Sequence, residues 1–388
     1  MLELPPLGLY VHIPWCVRKC PYCDFNSHER PDGGIPEAEY VKALCTEIDQ
    51  TPGALTSVQE SGSPEDNRLI ETVFFGGGTP SLFQADSFAR LLARLGEREF
   101  LAPEAEITLE ANPGTAEAGR FAGYRGAGIN RLSIGAQSFD DDALVRLGRI
   151  HSGADARSAF AMAREADFDN INLDLMFGLP EQSQGQALQD LETAIALGPE
   201  HISWYQLTLE PNTVFWRRPP PLPTASLIDT IQDAGIKMLE SAGYERYEVS
   251  AFSRPGKQCR HNLNYWRFGD YLGVGAGAHG KLTDPGSDRI LRTRKTRQPR
   301  HFLAPGDHTA ASEVHRRERP LEFLMNALRL REGFGADDFE SRTGIAFGAV
   351  EEKLKCLATR ELLELNGRFV RLTRRGYRLL DSILGEFA

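Results

Sequence analysis

The sequence predicts an α/β fold, a partial barrel of six β/α units with a smaller C-terminal helical, winged-helix-like domain. Three observations carry that expectation. From Leu7 to about Leu209, short runs rich in branched and aromatic residues alternate with amphipathic helical stretches, and such alternation builds a parallel sheet with right-handed crossovers. The polar residues with chemistry to offer fall where those strands end, which is where ligands gather in a barrel of this kind. After Arg319 the pattern changes to amphipathic helices followed by a hairpin with its turn at Asn366-Gly367.

The strands are expected in LYVHIPW, ETVFFGG, EITLEANP, RLSIGAQSF, NINLDLMFG and HISWYQL, each stopped by Gly, Pro or Asn. Between them EAEYVKALCTEI, ADSFARLLARL, SGADARSAFAMAREA and QALQDLETAIAL show apolar residues at three- and four-residue spacing. After PNTVFWRRPPPLP come a helix, ASLIDTIQDAGIKMLESAG, and a strand, YERYEVSAF. The expected organisation is a barrel with its extension over residues 1–283, a Pro-, Gly- and Arg-rich connector over 284–318, and a C-terminal domain over 319–388. The winged-helix-like module reads as a lid or docking element in preference to a DNA-binding one.

A chain of 388 residues is long enough for one large domain and a smaller companion. It has no run of about 18 apolar residues, so no transmembrane helix is expected. The opening MLELPPLGLY lacks a basic region followed by an apolar one, so no secretory signal is read and the expected location is the cytoplasm. The net charge is -10, yet residues 286–388 carry 20 Lys and Arg against 15 Asp and Glu. The main body is therefore strongly acidic, which argues against nucleic acid as a partner. The run from Arg289 to Arg300 holds six basic residues and no acidic one. It reads either as a solvated linker or as a patch for an anionic ligand.

Three of the six cysteines, Cys16, Cys20 and Cys23, fall within eight residues directly after the first expected strand. Thiolates are soft ligands suited to iron–sulfur clusters or zinc. A structural zinc site closes with four ligands, and here the local set stops at three. A cubane cluster held by three thiolates leaves one iron free for an outside ligand. Pro14 and Pro21 supply bends for a loop that turns all three sulfurs inward.

The spacing CxxxCxxC, with Tyr22 before the last cysteine, resembles the signature of radical S-adenosylmethionine proteins. The words YVHIPWC, CPYCDFNS, FFGGGTPS and CRHNLNYW are similar to those of the family that includes oxygen-independent coproporphyrinogen oxidase, and within it the HemW-type haem-chaperone branch. The resemblance runs over nearly the whole chain. It implies a radical S-adenosylmethionine barrel in which Cys16, Cys20 and Cys23 hold a 4Fe–4S cluster and S-adenosylmethionine chelates its fourth iron. It implies that Gly76, Gly77, Gly78 and Thr79 receive the methionine amino group, where glycines allow close backbone approach. Tyr10, Tyr22, Glu110, Gln137, Arg149 and Asp174 match positions that contact the cofactor, and Gln206 and His279 are added as cofactor contacts. Glu110 and Asp174 suit the ribose hydroxyls or the ammonium, and Arg149 suits the carboxylate.

Three features separate the branches. Phe25 stands where the oxidase signature has a further cysteine, only nine residues precede Tyr10 where the oxidase has a long arm, and HNLNYW matches a word associated with haem binding. That resemblance implies haem as cargo, a haem-accepting protein as partner, and haem contacts at His261, Asn262, Tyr265 and Trp266. An imidazole can ligate haem iron, and Tyr265 and Trp266 offer flat apolar faces. His279, in the glycine-rich GVGAGAHG, is an alternative contact. The resemblance leaves open a homodimer and a peripheral membrane contact through the acceptor. The rival readings are an oxygen-independent coproporphyrinogen oxidase and a radical enzyme of another substrate.

Overall fold

The computed structural model describes residues 1–58, 67–115, 118–306 and 308–388. Six strands form a parallel run in sequence order: β1 (Leu7–Ile13), β2 (Ile70–Gly77), β3 (Leu101–Ala111), β4 (Arg131–Gln137), β5 (Ile171–Phe177) and β6 (His201–Gln206). The helices α1 (Glu37–Val58), α2 (Ala85–Glu97), α3 (Ala118–Ala127), α4 (Gly153–Glu165), α5 (Gln184–Leu197) and α6 (Ala225–Ser241) each follow one of them. This is the expected barrel of six β/α units. The local reasons are readable. In α2, Phe88, Leu91, Leu92 and Leu95 are buried at i, i+3, i+4 and i+7. Ser152 with Asp155 and Ser183 with Gln186 form capping boxes that start α4 and α5, and Gly198 ends α5 in the left-handed region.

Beyond β6 the expected strand at 244–252 is two short ones, β7 (Glu245–Arg246) and β8 (Ala251–Ser253). They pair antiparallel, and the Glu248 carboxylate accepts from the Ser250 amide and hydroxyl in the turn between them. At the other edge β9 (Asp270–Val274) pairs parallel to β1. From it β10 (His279–Asp284), β11 (Arg289–Lys295) and β12 (Thr309–Glu313) run antiparallel. The sheet thus has twelve strands in the order β12-β11-β10-β9-β1-β2-β3-β4-β5-β6-β8-β7. The stretch expected as a connector, 284–318, is corrected in part: apart from residue 307, which lies outside the described residues, it contributes β11 and β12 to the sheet, with turns and a short helix at Pro299–Phe302 between and around them. Alternation along β11 places Arg292 and Arg294 on one face with Ile290, and Arg289 and Lys295 on the other with Leu291 and Thr293, so the basic run serves as a strand. GVGAGAHG is the tight turn from β9 to β10. A Cβ on Gly275 would lie 2.4 Å from the His12 carbonyl oxygen, and one on Gly277 would lie 2.1 Å from Asn26, so close backbone packing accounts for these glycines.

In the C-terminal domain, α8 (Arg319–Ala327) is followed by β13 (Phe334–Gly335), α9 (Ala336–Thr343), α10 (Gly348–Thr359), β14 (Leu363–Asn366) and β15 (Phe369–Leu372). Between α6 and α8 lies α7 (Arg260–Trp266). The small sheet has the order β13-β15-β14, the arrangement of a winged helix. Its core is continuous with Leu2, Phe268, Ile290 and Val314 of the main body, so the boundary between the two parts is a packed one.

Candidate functional site: two adjoining cavities at the strand ends

The first cavity, about 300 Å³, lies over the C-terminal ends of the parallel strands and is ringed by Cys16, Cys20 and Cys23. Also in its wall are Tyr22, Gly77, Gly78, Thr79, Glu110, Gln137, Arg149 and Asp174. These come from the ends of four consecutive strands, β2 to β5, from the segment after β4 that carries Arg149, and from the cysteine loop, because each β-strand delivers its last inward-facing side chain to the same rim. Gly77 and Gly78 are required by the approach of the cysteine loop. Gly77 has φ +121°, its added Cβ would lie 2.6 Å from the His12 ring, and one on Gly78 would lie 2.5 Å from the Trp15 carbonyl oxygen. The Gly78 and Thr79 amides donate to the carbonyls of Ile13 and Trp15, which ties this turn to the loop.

The polar groups of this cavity are held in place. The Gly77 amide donates to Glu110 Oε2 at 3.1 Å. Ser133 Oγ and Asn172 Nδ2 donate to Asp174 at 2.8 and 2.9 Å. Tyr205 donates to Gln137 Oε1 at 3.0 Å. Gln137 is a non-glycine residue at φ +65°, backbone strain of the kind that clusters at functional sites. Burial, and then the neighbouring Asp174, push Glu110 up to about 8. Burial also raises Asp174, against the hydrogen bonds from Ser133 and Asn172. Arg149 donates to the Gly135 carbonyl at 3.0 Å and to Cys20 Sγ at 3.5 Å. Its buried Nε has no partner among the described residues.

A 4Fe–4S cluster and S-adenosylmethionine fit this donor set. Among the described residues no group of three or more Cys, His, Asp or Glu closes on a single metal-ion position. The three sulfurs instead line one shared cavity, and all six cysteines are free. Burial raises the thiols of Cys16 and Cys23, and a coordinated metal is what deprotonates a thiol in such a place. The unsatisfied Arg149 donor and the buried pair Glu110 and Asp174 supply opposite charges for a zwitterionic ligand.

The second cavity, about 590 Å³, adjoins the first and shares Phe25, Gly77 and Glu110 with it. Tyr10, Tyr265, Trp266, Phe268 and Tyr271 give it aromatic walls, and Arg292, Arg294, Lys295 and Arg297 bring cations. Tyr10 therefore faces this cavity; its hydroxyl donates to His12 Nδ1 at 3.0 Å, while His12 Nε2 donates to the Asn26 carbonyl. Gly76 lies just below both cavities, with Tyr10 and Glu110 against it.

Three expected contacts are placed elsewhere. Gln206 is exposed and outside both linings. Alternation along β6 turns Tyr205 into the first cavity, while Trp204 and Gln206 face the helix layer, Trp204 lying against Gly235. Tyr205 is a first-cavity residue that sequence reasoning missed, as it missed Phe268 and Tyr271 in the second, and the phase of the alternation was the only signal for Tyr205. His261 is 1% exposed and lines neither cavity. Helix α7 inserts it between β1 and β2, where Nδ1 pairs with Thr72 Oγ1 at 2.8 Å and Nε2 with the Tyr265 hydroxyl at 2.9 Å. It stacks on Phe74, and the Glu106 carboxylate accepts from the first amides of α7. With both ring nitrogens bonded inside the core, His261 has no lone pair to offer a ligand. The expected haem contact at His261 thus lies behind the cavity wall, and Asn262, half-buried, also lines neither cavity. Tyr265, Trp266 and His279 do reach the second cavity.

A six-stranded parallel barrel with three cysteines ringing its strand-end cavity defines the radical S-adenosylmethionine class. The model of the radical SAM superfamily matches residues 10–194, and the HemN C-terminal domain matches residues 314–379. Within that class the chain belongs to the HemW family. It is 46% identical over 387 residues to the proteins named heme chaperone HemW of Haemophilus influenzae and of Escherichia coli, covering 100% of this chain and 99% of each relative. The crystal structure titled coproporphyrinogen III oxidase (HemN) from Escherichia coli, a radical SAM enzyme, matches with a TM-score of 0.79 at 22% identity. That match covers 99% of this chain and 90% of that one, and it establishes the shared fold. Membership of the superfamily brings with it the 4Fe–4S cluster and S-adenosylmethionine. No helix among the described residues is long and apolar enough to cross a membrane.

Proposed function

We propose that this protein is a haem chaperone, which holds haem next to a 4Fe–4S cluster and S-adenosylmethionine and passes it to an acceptor protein. The observation that carries this reading is the second cavity. It is large enough for a small-molecule ligand, walled by aromatic faces, and supplied with more cations than carboxylates. A flat macrocycle with two carboxylates asks for that combination. The names of the full-length relatives support the same reading. In the adjoining cavity Cys16, Cys20 and Cys23 hold the cluster. Glu110 receives the amino group of S-adenosylmethionine, Arg149 its carboxylate, and Asp174 its ribose, with Tyr22, Gln137, Tyr205 and the Gly77–Thr79 turn as packing and hydrogen-bonding neighbours. When bound, the cluster supplies a reducible centre with one iron open to an outside ligand.

The test is incubation of the anaerobically reconstituted protein with haem and, separately, with coproporphyrinogen III and a reductant. The expected results are about one haem bound per chain and no decarboxylated product. Turnover of coproporphyrinogen III at the rate of an oxidase would replace this reading with the enzymatic one.

A further inference from the structure

Building on the haem-chaperone reading, we propose that His279 is the iron ligand for the cargo, that Arg294 and Arg297 hold its two carboxylates, and that the protein leaves the other axial position free.

The available donors point to His279. Two histidines line the second cavity, His12 and His279. His12 uses both ring nitrogens internally, on Tyr10 and on the Asn26 carbonyl. The lining contains no cysteine and no methionine, and Lys281 is committed to Asp270 at 2.8 Å in the core. The His279 ring makes no hydrogen bond among the described residues, and its side chain is exposed at the cavity mouth. Burial and then Arg292, Arg294 and Arg297 lower its affinity for a proton, which keeps a lone pair available near neutral pH.

The sheet register places the charges beside that imidazole. His279 pairs directly across from Arg294, and Lys281 across from Arg292. Residues opposite one another on adjacent strands project from the same face, about 5 Å apart at Cβ. The other face of these strands carries the pair Leu282 and Leu291 against the core. Three of the cavity's cations already have anionic partners: Lys281 with Asp270, Arg292 with Glu322, and Lys295 with Glu47. Arg294 and Arg297 form no ion pair among the described residues, and Asn26 Oδ1 accepts from Arg297 Nε at 3.4 Å. Two uncommitted guanidiniums match a dicarboxylate. The buried indole N–H of Trp266, in the same cavity wall, also has no partner among the described residues.

The remaining walls are Tyr265, Trp266, Phe268 and Tyr271, and they offer faces where a second histidine, cysteine or methionine would be needed to complete six-coordination. One ligand at an exposed edge suits a carrier. The iron stays five-coordinate, and the acceptor's own ligand can take the vacant position before the bond to His279 is given up.

The experiment titrates the anaerobically purified full-length protein with haem, read from the Soret band, and with metal-free mesoporphyrin, which has the two carboxylates and no iron. Wild type is expected to bind both, with a five-coordinate haem spectrum. His279→Ala should shift the Soret band and weaken haem binding about tenfold, with mesoporphyrin binding unchanged. His279→Cys should restore haem binding with a thiolate-type spectrum. Arg294→Ala with Arg297→Ala should weaken both ligands, more at low ionic strength than at high. An unchanged Soret band in His279→Ala, or equal loss of haem and mesoporphyrin, overturns the ligand assignment alone. A band that moves in His261→Gln but not in His279→Ala would return the ligand to the core histidine. Failure of wild type to bind either compound overturns the haem reading itself.

Discussion

The two cavities share Phe25, Gly77 and Glu110 yet are built in different ways. The first stands on parallel strands, and three of its polar groups are held by a second residue: Asp174 by Ser133 and Asn172, Glu110 by the Gly77 amide, Gln137 by Tyr205. The second stands largely on the antiparallel strands added beyond β1. Its floor is fixed by the buried Lys281–Asp270 pair, while Phe25, His279, Arg294 and Arg297 at its mouth are exposed. Preorganised hydrogen bonds suit a resident cofactor, because no reorganisation is needed on binding. An exposed mouth with uncommitted groups suits a ligand that has to leave. The difference in construction is what the proposed function asks for, a cofactor in one cavity and a cargo in the other.

The strongest way to break this division is to empty the first cavity. Cys20→Ala should reduce iron from about four per chain to near zero while haem still binds with the wild-type Soret band. Iron analysis and a haem titration on one sample decide it, and loss of both together would mean that the cavities are a single site.

The contrast between floor and mouth is tested by stability. Lys281→Met leaves Asp270 buried with only Arg68 as ionic partner, and should cost about 3 kcal/mol in urea unfolding. Arg294→Ala at the mouth should change stability by less than about 0.5 kcal/mol.

A smaller effect tests Glu110. In the free protein its carboxyl is raised to about 8, so it is mostly protonated at pH 7. An amino N–H that donates to this carboxyl favours its ionised form, so binding S-adenosylmethionine should release a proton from Glu110. Affinity should therefore climb several-fold as pH rises from 6 towards 8, and calorimetry in buffers of different ionisation heat should detect the released proton. Glu110→Gln should flatten the climb, whereas an unchanged slope would remove Glu110 from the amino-group site.

The smallest effect concerns the shared wall. Phe25 is 64% exposed and lines both cavities. Phe25→Ala should weaken haem binding by about 1 kcal/mol through lost aromatic contact, with iron content unchanged.

The sequence alone determined the features that depend on neighbours along the chain. Alternating strand and helix periods specified six β/α units, and the helix-then-hairpin pattern specified the winged-helix-like end. The CxxxCxxC spacing specified the thiolate loop, and Glu110, Gln137 and Asp174 were legible because they sit at strand ends, where a barrel collects its ligands, whereas Arg149, which follows a helical turn at Asp141–Arg146, was legible only through the family resemblance. The tertiary structure decided what depends on phase and on distant partners. Tyr205 rather than Gln206 enters the first cavity, because the helix layer claims the face that carries Trp204. Part of the run at 284–318 became strands because β10 offered an edge to extend, a pairing that local composition does not report. His261 was lost to the core because Thr72 and the Tyr265 hydroxyl take its two nitrogens, and Thr72 lies 189 residues away in sequence. A histidine beside aromatic residues reads the same in sequence whether its lone pair is committed or free, and only the packing of β2 against α7 distinguishes the two.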